Sequence, residues 1–414
     1  MCQRFIGGAL LAAAAVVAGA SGGQAQVPGG AGFPVTARGQ APANTGFDAP
    51  INTDPTIPIP TGRAGAAGFY TAAEFVILTQ RRTIGEQTVA FRGLVDSTGD
   101  ITGLPGGYIG SGKEALNTRE LGRTTFNPGF QTEVGYRFED GTRIYANYVQ
   151  LFDYTYTAGA SLVPPFFRSR QDLSDTFLTA GVFNFIPQYA GPPVKTAYDP
   201  PGAQASNTYG IWNGATTMDI SFVQRFQQAE IGGRMPMFQT EFSRVYGMAG
   251  ARFDWFFERF KWRTVAYDSS GNTGPQFAAT YTNELSQRLY GPFVGFGHEV
   301  FLANQFSASL DLTGGLLLGV IKERAKYELD TEQTQNKRTF NEYSIVPNAN
   351  AAINLWWYPV EGVQVRVGYQ AMSFFNTRRM EDPIGFNYGA IDPVYDVQFL
   401  RLVHGVNVGV GLFF

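Results

Sequence analysis

The last fifteen residues of the chain alternate between two kinds of side chain. From Leu400 to Phe414 the even positions are apolar except for His404, whereas most of the odd positions are glycine or polar. A period of two is the pattern of a β-strand whose two faces meet different surroundings. We therefore predict a final strand with lipid on one side and water on the other. The lipid-facing positions of this predicted final strand are Val406, Val408, Val410, Leu412 and Phe414.

The same alternation recurs along most of the chain. It appears in the following runs: 69–81, 130–138, 144–154, 218–226, 245–257, 306–320, 349–357 and 363–371, with a weaker run at 289–301. Asp140-Gly141 between two alternating runs is a strong hairpin signal. Together with the final strand this predicts ten strands, and a further strand at 176–186 would raise the alternative count to twelve.

The connections between the runs differ systematically in length. Short connections are expected near 139–142, 232–237, 302–304 and 359–362, and long ones at 82–127, 158–215, 261–287, 324–343 and 376–396. Short turns on one side and long loops on the other are typical of outer-membrane barrels. Because lipid offers the backbone no hydrogen-bond partners, the sheet must close. The prediction is an all-β, closed antiparallel transmembrane barrel over 67–414, with short periplasmic turns and long extracellular loops.

The N-terminal part of the sequence has a different character. Arg4 precedes an apolar stretch at 5–18 that is followed by small residues, which is the pattern of a cleaved secretory signal peptide over 1–25. Residues 26–66 are rich in Pro and Gly without an apolar period, and we predict a disordered segment there. Export through the signal peptide places the barrel in the cell outer membrane.

The amino-acid composition argues against several other classes of protein. Charged residues make up 16% of the chain, against about 25% in ordinary soluble domains. A net charge of -3 argues against a nucleic-acid partner, which would require a basic face. The single Cys is removed with the signal peptide, so no disulfide scaffold or Cys-based zinc site is expected. A secreted β-sandwich or propeller remains as a soluble alternative.

Two resemblances support the barrel. The final strand resembles the terminal targeting strand of Gram-negative outer-membrane barrels, which implies recognition by the barrel-assembly machinery. Tyr70 followed by Glu74 in the first strand, and Pro128-Gly129 followed by Gly135-Tyr136, resemble the putative beta-barrel porin family 7 over about residues 67–414. That resemblance implies a porin, with outer-membrane lipid as its surroundings. The oligomeric state stays open.

Charged residues on the polar faces of the strands are the candidates for the barrel lumen. The predicted lumen-lining side chains are Glu74, Glu133, Arg137, Asp219, Arg225, Arg252, Asp254, Glu258, Asp311, Arg366 and Arg401, with Asp153 beside them. One hypothesis is a passive channel for ions or small solutes, whose selectivity these charges set. The other is a structural or adhesive barrel that displays long surface loops, with the charges paired across a closed lumen.

No enzymatic constellation stands out in the sequence. The two histidines, His298 and His404, lack the spacing of a metal site or a catalytic pair. We therefore expect no catalytic residues, no metal and no cofactor.

Overall fold

The computed structural model describes residues 67–96, 103–104, 107–161, 177–180, 210–240, 242–267, 272–303, 305–331, 334–360, 362–385 and 398–414. The predicted signal peptide and the predicted disordered segment at 26–66 lie outside the described residues. So does most of 176–186, the stretch proposed as an additional strand. No helix in the described ranges has the length and hydropathy needed to cross a bilayer.

Sixteen β-strands account for nearly all the regular structure in the described ranges. In chain order they are β1 (Gly68–Gln80), β2 (Thr88–Arg92), β3 (Leu94–Asp96), β4 (Gly107–Ile109), β5 (Glu114–Asn117), β6 (Phe126–Arg137), β7 (Arg143–Leu151), β8 (Tyr154–Ser161), β9 (Leu178–Thr179), β10 (Thr217–Gln239), β11 (Ser243–Val265), β12 (Ala278–Ala303), β13 (Phe306–Leu329), β14 (Thr334–Val360), β15 (Val363–Arg378) and β16 (Gln398–Phe413). Short helical turns occur at Thr118–Leu121, Gly210–Asn213 and Pro275–Phe277.

Ten strand positions form a closed antiparallel ring. The order is β10-β11-β12-β13-β14-β15-β16-β1-β6-β7, and β7 pairs back onto β10. The next strand, β8, pairs with the upper half of β10 beyond β7, so β7 and β8 together fill one position of the ring. This confirms the predicted closed barrel of ten strands. Every ring strand has a partner on both sides, as a wall surrounded by lipid requires.

The turns that join the hairpins follow from local residue chemistry. Gly141 has φ 85°, a conformation that side chains disfavour, and the Asp140 carboxylate accepts the Thr142 amide at 2.9 Å. Gly362 has φ 84° at the turn between β14 and β15. These turns lie at the same end of the barrel as the beginning of β1 and the end of β16, because Tyr70 pairs with Phe413.

The ring has a tall wall and a short wall. The tall wall consists of β10 to β14, whose strands are 23 to 27 residues long. The short wall consists of β15, β16, β1, β6 and β7, with strands of 9 to 16 residues. Since about 9 to 11 residues cross a bilayer, the tall wall projects well beyond the membrane on the long-loop side.

Three predicted connections differ from the structure. The segments 261–287 and 324–343 are mostly strand, because β11 ends at Val265, β12 begins at Ala278, β13 ends at Leu329 and β14 begins at Thr334. The short turn expected at 232–237 lies inside β10, and the chain turns after Gln239 instead. The outer face of a strand becomes charged above the membrane, so the apolar-polar alternation that marks a lipid-facing strand ends before the strand does.

Loop segments fill the space beside the projecting tall wall, and we call this packed region the head. A small sheet of β5, β2 and β9 packs with the turn at Gly210–Asn213 against the inner face of the tall wall. Trp212 lies 4.3 Å from Trp262 between ring centroids. The first and last long loops join where the Gln87 side-chain amide donates to the Ile384 carbonyl at 3.0 Å.

Candidate functional site

Nine of the eleven predicted lumen residues point into the barrel. They are Glu74, Glu133, Arg137, Arg252, Asp254, Glu258, Asp311, Arg366 and Arg401. Eight of these are buried, and Asp311 accepts a hydrogen bond from the Tyr246 hydroxyl inside the barrel.

The other two predictions, Asp219 and Arg225, are wrong, since both lie on the outer face of β10. Arg225 pairs there with Asp153, which is also outside, and stacks over Trp255. The apolar positions of upper β10, such as Phe222, point inward against the head instead of outward to lipid. The face assignment failed because this part of β10 projects beyond the membrane, where the apolar face is the inner one.

Charged side chains in the lower lumen form a connected polar chamber near the short turns. Arg366 pairs with Glu74, whose second oxygen accepts from the Asn407 amide at 2.9 Å. Arg252 donates to Glu230 at 2.7 and 2.9 Å, and the Tyr145 hydroxyl donates to the same carboxylate at 2.6 Å. The chamber therefore carries both signs of charge, largely in mutual contact.

Three arginines line up at the mouth of this chamber. Arg137 pairs in register with Arg143, and Arg143 pairs in register with Arg234. Arg143 lies over the Phe413 ring, with 5.9 Å between its guanidinium carbon and the ring centroid. Like charges at directly opposed positions repel. The carboxylates of Glu133 and Glu299 line the same cavities as Arg143 and Arg234 and offset part of this charge.

Above the chamber an apolar layer crosses the lumen. Phe374 of β15 stands five ring places from β10, and its ring lies 5.0 Å from Phe256 and 6.5 Å from Phe226 between centroids. Nine of the ten ring positions contribute to the layer. Its twelve buried side chains are Val76, Leu78, Val149, Leu151, Phe226, Phe256, Leu289, Leu317, Val346, Met372, Phe374 and Val403.

An ion pair spans the lumen directly beside this layer. Arg401 of β16 donates to both oxygens of Glu258 on β11, at 2.7 and 3.2 Å, and the two side chains are 0% and 1% exposed. The same carboxylate accepts from Thr83 and from the Gln224 amide, the latter at 3.2 Å. Arg401 also stacks over Phe256, so the pair and the layer form one packed unit.

Several important residues were missed in the sequence. Glu230, Arg234, Arg244 and Glu299 all point inward, and Arg244 pairs with Glu299 near the mouth. Their positions could have been found by following the inner register of β10, β11 and β12 down towards the short turns. The contacts of Phe374 across the lumen leave no comparable signal in the sequence, because they depend on which strands face each other across the ring.

Both histidines lie on the outer face of the barrel. His298 is exposed on β12, and His404 on β16 lies 2.6 Å from the Tyr369 hydroxyl through Nδ1. Within the described ranges no group of three or more His, Cys, Asp or Glu residues could hold a metal ion.

A closed ring of ten antiparallel strands with an uncharged outer band and a charged inner chamber defines an outer-membrane β-barrel. The family model described as "Legionella pneumophila major outer membrane protein precursor" matches residues 107–387, about two thirds of the sequence. The chain belongs to this outer-membrane protein family, and the predicted membership of an outer-membrane barrel family and the predicted location in the outer membrane are confirmed. No curated protein matches the sequence.

Solved structures similar to the chain are also outer-membrane barrels. The Escherichia coli outer membrane protease OmpT is 9% identical, with 84% of this chain and 97% of that chain covered and a TM-score of 0.39. The Pseudomonas putida toluene transporter TodX is 10% identical, with 87% and 93% covered and a TM-score of 0.25. Ail, the attachment invasion locus protein of Yersinia pestis, is 10% identical, with 84% and 99% covered and a TM-score of 0.20. Likeness at this level carries no argument about function.

Proposed function

We propose that this protein is a non-enzymatic, non-conducting outer-membrane barrel that presents its extracellular head as a contact surface for molecules outside the cell. The observation that carries the proposal is the apolar layer around Phe226, Phe256 and Phe374. An aqueous path through the barrel would have to pass these packed rings, and ions do not cross an apolar constriction that excludes water.

The packing above the layer supports the same function. Glu258 and Arg401 are held by four polar partners between them, so a solute would also have to break a buried ion pair. Breaking such a pair leaves an uncompensated buried charge, at a cost of about 3–5 kcal/mol. A barrel that lets solutes pass freely is not expected to have both an apolar layer and a buried ion pair across its lumen.

The head provides the surface that the proposal requires. Its core is built from tall-wall side chains and loop side chains, including Leu116, Leu178 and Trp212, which gives the loops a fixed shape. Exposed apolar side chains such as Leu104, 70% exposed, and Tyr108, 42% exposed, lie on this region. Loops positioned by a rigid scaffold are the usual carriers of recognition.

A channel for small solutes is the second candidate, and the charged chamber favours it. Glu133, Arg252 and Arg366 line a cavity with several amide side chains near the short-turn mouth. This arrangement would select solutes by charge if the apolar layer moved aside. Conduction would then depend on displacement of Phe374.

Conductance in planar lipid bilayers distinguishes the two candidates. The wild-type protein is expected to insert without conductance steps. The double variant Phe256→Ala/Phe374→Ala should introduce steps, whereas Phe375→Ala, whose side chain lies on the outer face beside Phe374, should not. Discrete steps from the wild-type protein would contradict the closed-barrel proposal and favour the channel.

A further inference from the structure

The outer face of the tall wall changes abruptly from uncharged to basic. On β11 the outward positions from Val245 to Phe253 carry no charge, and the positions paired with them on β12 to β14 are uncharged as well. Nine residues at about 3.4 Å each, tilted by roughly 40°, cover about 23 Å, close to the height of about 25 Å of the lipid-facing band of an outer-membrane barrel.

Basic side chains begin directly above this uncharged band, and we call this group the basic collar. It consists of Arg259, Lys261, Arg263, Arg288, Lys322, Arg324, Lys326 and Lys337. The collar is contiguous, because strand pairing places Lys326 between Thr282 and Lys337, and Glu284 between Arg259 and Arg324.

The collar carries an excess of positive charge. Four carboxylates lie among or beside its eight basic side chains in the described part of the chain, which leaves an excess of four; they are Asp219, Glu284, Glu328 and Asp330. Arg263 pairs with Asp330 and Lys326 with Glu328, while Arg324 lies 3.8 Å from Glu284.

The other five basic side chains make no ion pair with a described carboxylate. They are Arg259, Lys261, Arg288, Lys322 and Lys337. The Nε of Arg259 is buried without a hydrogen-bond partner among the described residues, and Lys261 and Arg263 line an open cleft with Thr157, Ser221 and one carboxylate, Asp219. Guanidinium and ammonium groups that outnumber the carboxylates beside them suit a phosphate group.

An aromatic marker fixes the height of the collar relative to the membrane. Trp255 lies on the outer face at the top of the uncharged band, and Arg225 and Arg288 stack over its ring at 5.5 and 5.7 Å. Trp residues concentrate at the level of lipid headgroups. The collar therefore begins where the phosphates of the outer leaflet lie.

We propose that the basic collar binds the phosphate groups of anionic lipid headgroups in the outer leaflet, on the tall-wall side of the barrel only. On the short wall, the outward positions of β15 and β16 at this height are uncharged and include Ser373, Phe375, Leu400 and Leu402. A single exposed guanidinium, Arg81, follows the end of β1 and stacks over Phe399. Anionic lipid would then gather along β11 to β14 and fix the orientation of the head above the membrane.

The proposal is tested by lipid binding to the purified full chain in a zwitterionic detergent. Phosphatidylglycerol is titrated at low and high salt, with zwitterionic phosphatidylcholine, which has no net charge, as the reference. Bound lipid is counted by native mass spectrometry. The collar variant is Lys261→Gln/Arg288→Gln/Lys322→Gln. The matched control, Lys113→Gln/Arg119→Gln/Arg123→Gln, removes three exposed positive charges from the head.

The collar variant should bind phosphatidylglycerol about 10- to 100-fold more weakly than the wild type and phosphatidylcholine equally well, because each basic group near an anionic surface contributes about fivefold. The head control should match the wild type. Heat-modifiable migration checks folding, and if the triple variant does not fold, Lys322→Gln alone should weaken binding about fivefold.

Three results would overturn the proposal. They are unchanged phosphatidylglycerol affinity in the collar variant, an equal loss in the head control, and full displacement of the lipid by millimolar inorganic phosphate. The last result would assign the collar to a free anion instead of a membrane lipid.

Discussion

The tall wall and the short wall of this barrel follow the same alternation near the short turns and diverge above it. In the short wall, lipid-facing residues such as Val408 stay uncharged along the strands, and inner residues near the short turns, such as Glu74, are polar. In the upper tall wall the rule inverts, because Trp262 points inward to the head and Lys261 points outward to water. A strand face is therefore determined by what lies beside it at each height.

This difference explains how one continuous strand serves two environments. The lower half of β11 separates lipid from a polar chamber, while its upper half separates water from an apolar core. Both halves bury apolar surface, but on opposite sides, and burial of apolar area away from water stabilises each by about 25 cal/mol per Å².

The largest effect is expected inside the upper tall wall. Trp262→Ala should reduce the free energy of unfolding by about 3–5 kcal/mol, since a fully buried indole leaves a cavity in the head core. Its neighbour on the opposite face provides the control, and Lys261→Ala should change stability by no more than about 0.5 kcal/mol. Guanidinium unfolding in phosphatidylcholine vesicles, which carry no net charge for the basic collar to bind, measures both free energies of unfolding. Equal losses in the two variants would contradict the inversion.

A charge placed on the outer face should destabilise the short wall more than the upper tall wall. Val408→Arg puts a guanidinium against lipid on the short wall and should cost about 2–4 kcal/mol near the bilayer midplane. Thr339→Arg, on the exposed outer face of upper β14, should cost less than about 1 kcal/mol, through repulsion by Arg324 directly opposite. Equal destabilisation in the same unfolding assay would mean that the upper tall wall also faces lipid.

The end of the short wall offers a test of assembly. We propose that the barrel-assembly machinery reads the last strand, so deletion of Phe414 should lower the amount of protein in the outer membrane several-fold while export continues. Deletion of Phe33, which lies in the predicted disordered segment, serves as the control. Quantitative blotting of outer-membrane fractions measures the amount of each variant. A normal amount of the variant that lacks Phe414 would exclude a targeting role for this residue.

The smallest expected effect concerns acid sensitivity in the head. Hydrogen bonds from Thr88 at 2.6 Å and Asn117 at 3.0 Å lower the pKa of Glu114. A lowered pKa in the folded state means that the stabilisation is present above the unfolded pKa and is lost as the pH falls through the folded one. The protection factors of the Leu116 and Asn117 amides, which correct for the intrinsic pH dependence of hydrogen exchange, should therefore fall in acid, and Glu114→Gln should abolish that fall.

Sequence patterns were sufficient for the part of the barrel that lies in the membrane. The faces of β16, and the inward positions of Glu133 and Arg252, follow from a period of two with lipid on one side. The pattern failed at Asp219 and Arg225 and across 324–343, where the outer surroundings change from lipid to water without any break in the strand. The contact of Phe374 with Phe256 across the lumen could not be predicted, because it depends on the order of the strands around the ring. Alternation within one strand carries no information about that order.

Solvent accessibility along β11 tests the inversion most directly. Spin labels placed one at a time at Ala249, Phe253, Phe257 and Lys261 all lie on the outer face, at increasing distance from the short turns. Oxygen, which concentrates in lipid, should dominate relaxation at 249 and 253, and a water-soluble nickel relaxant should dominate at 261. Lipid-type relaxation at all four positions would contradict a wall that leaves the membrane partway along its strands.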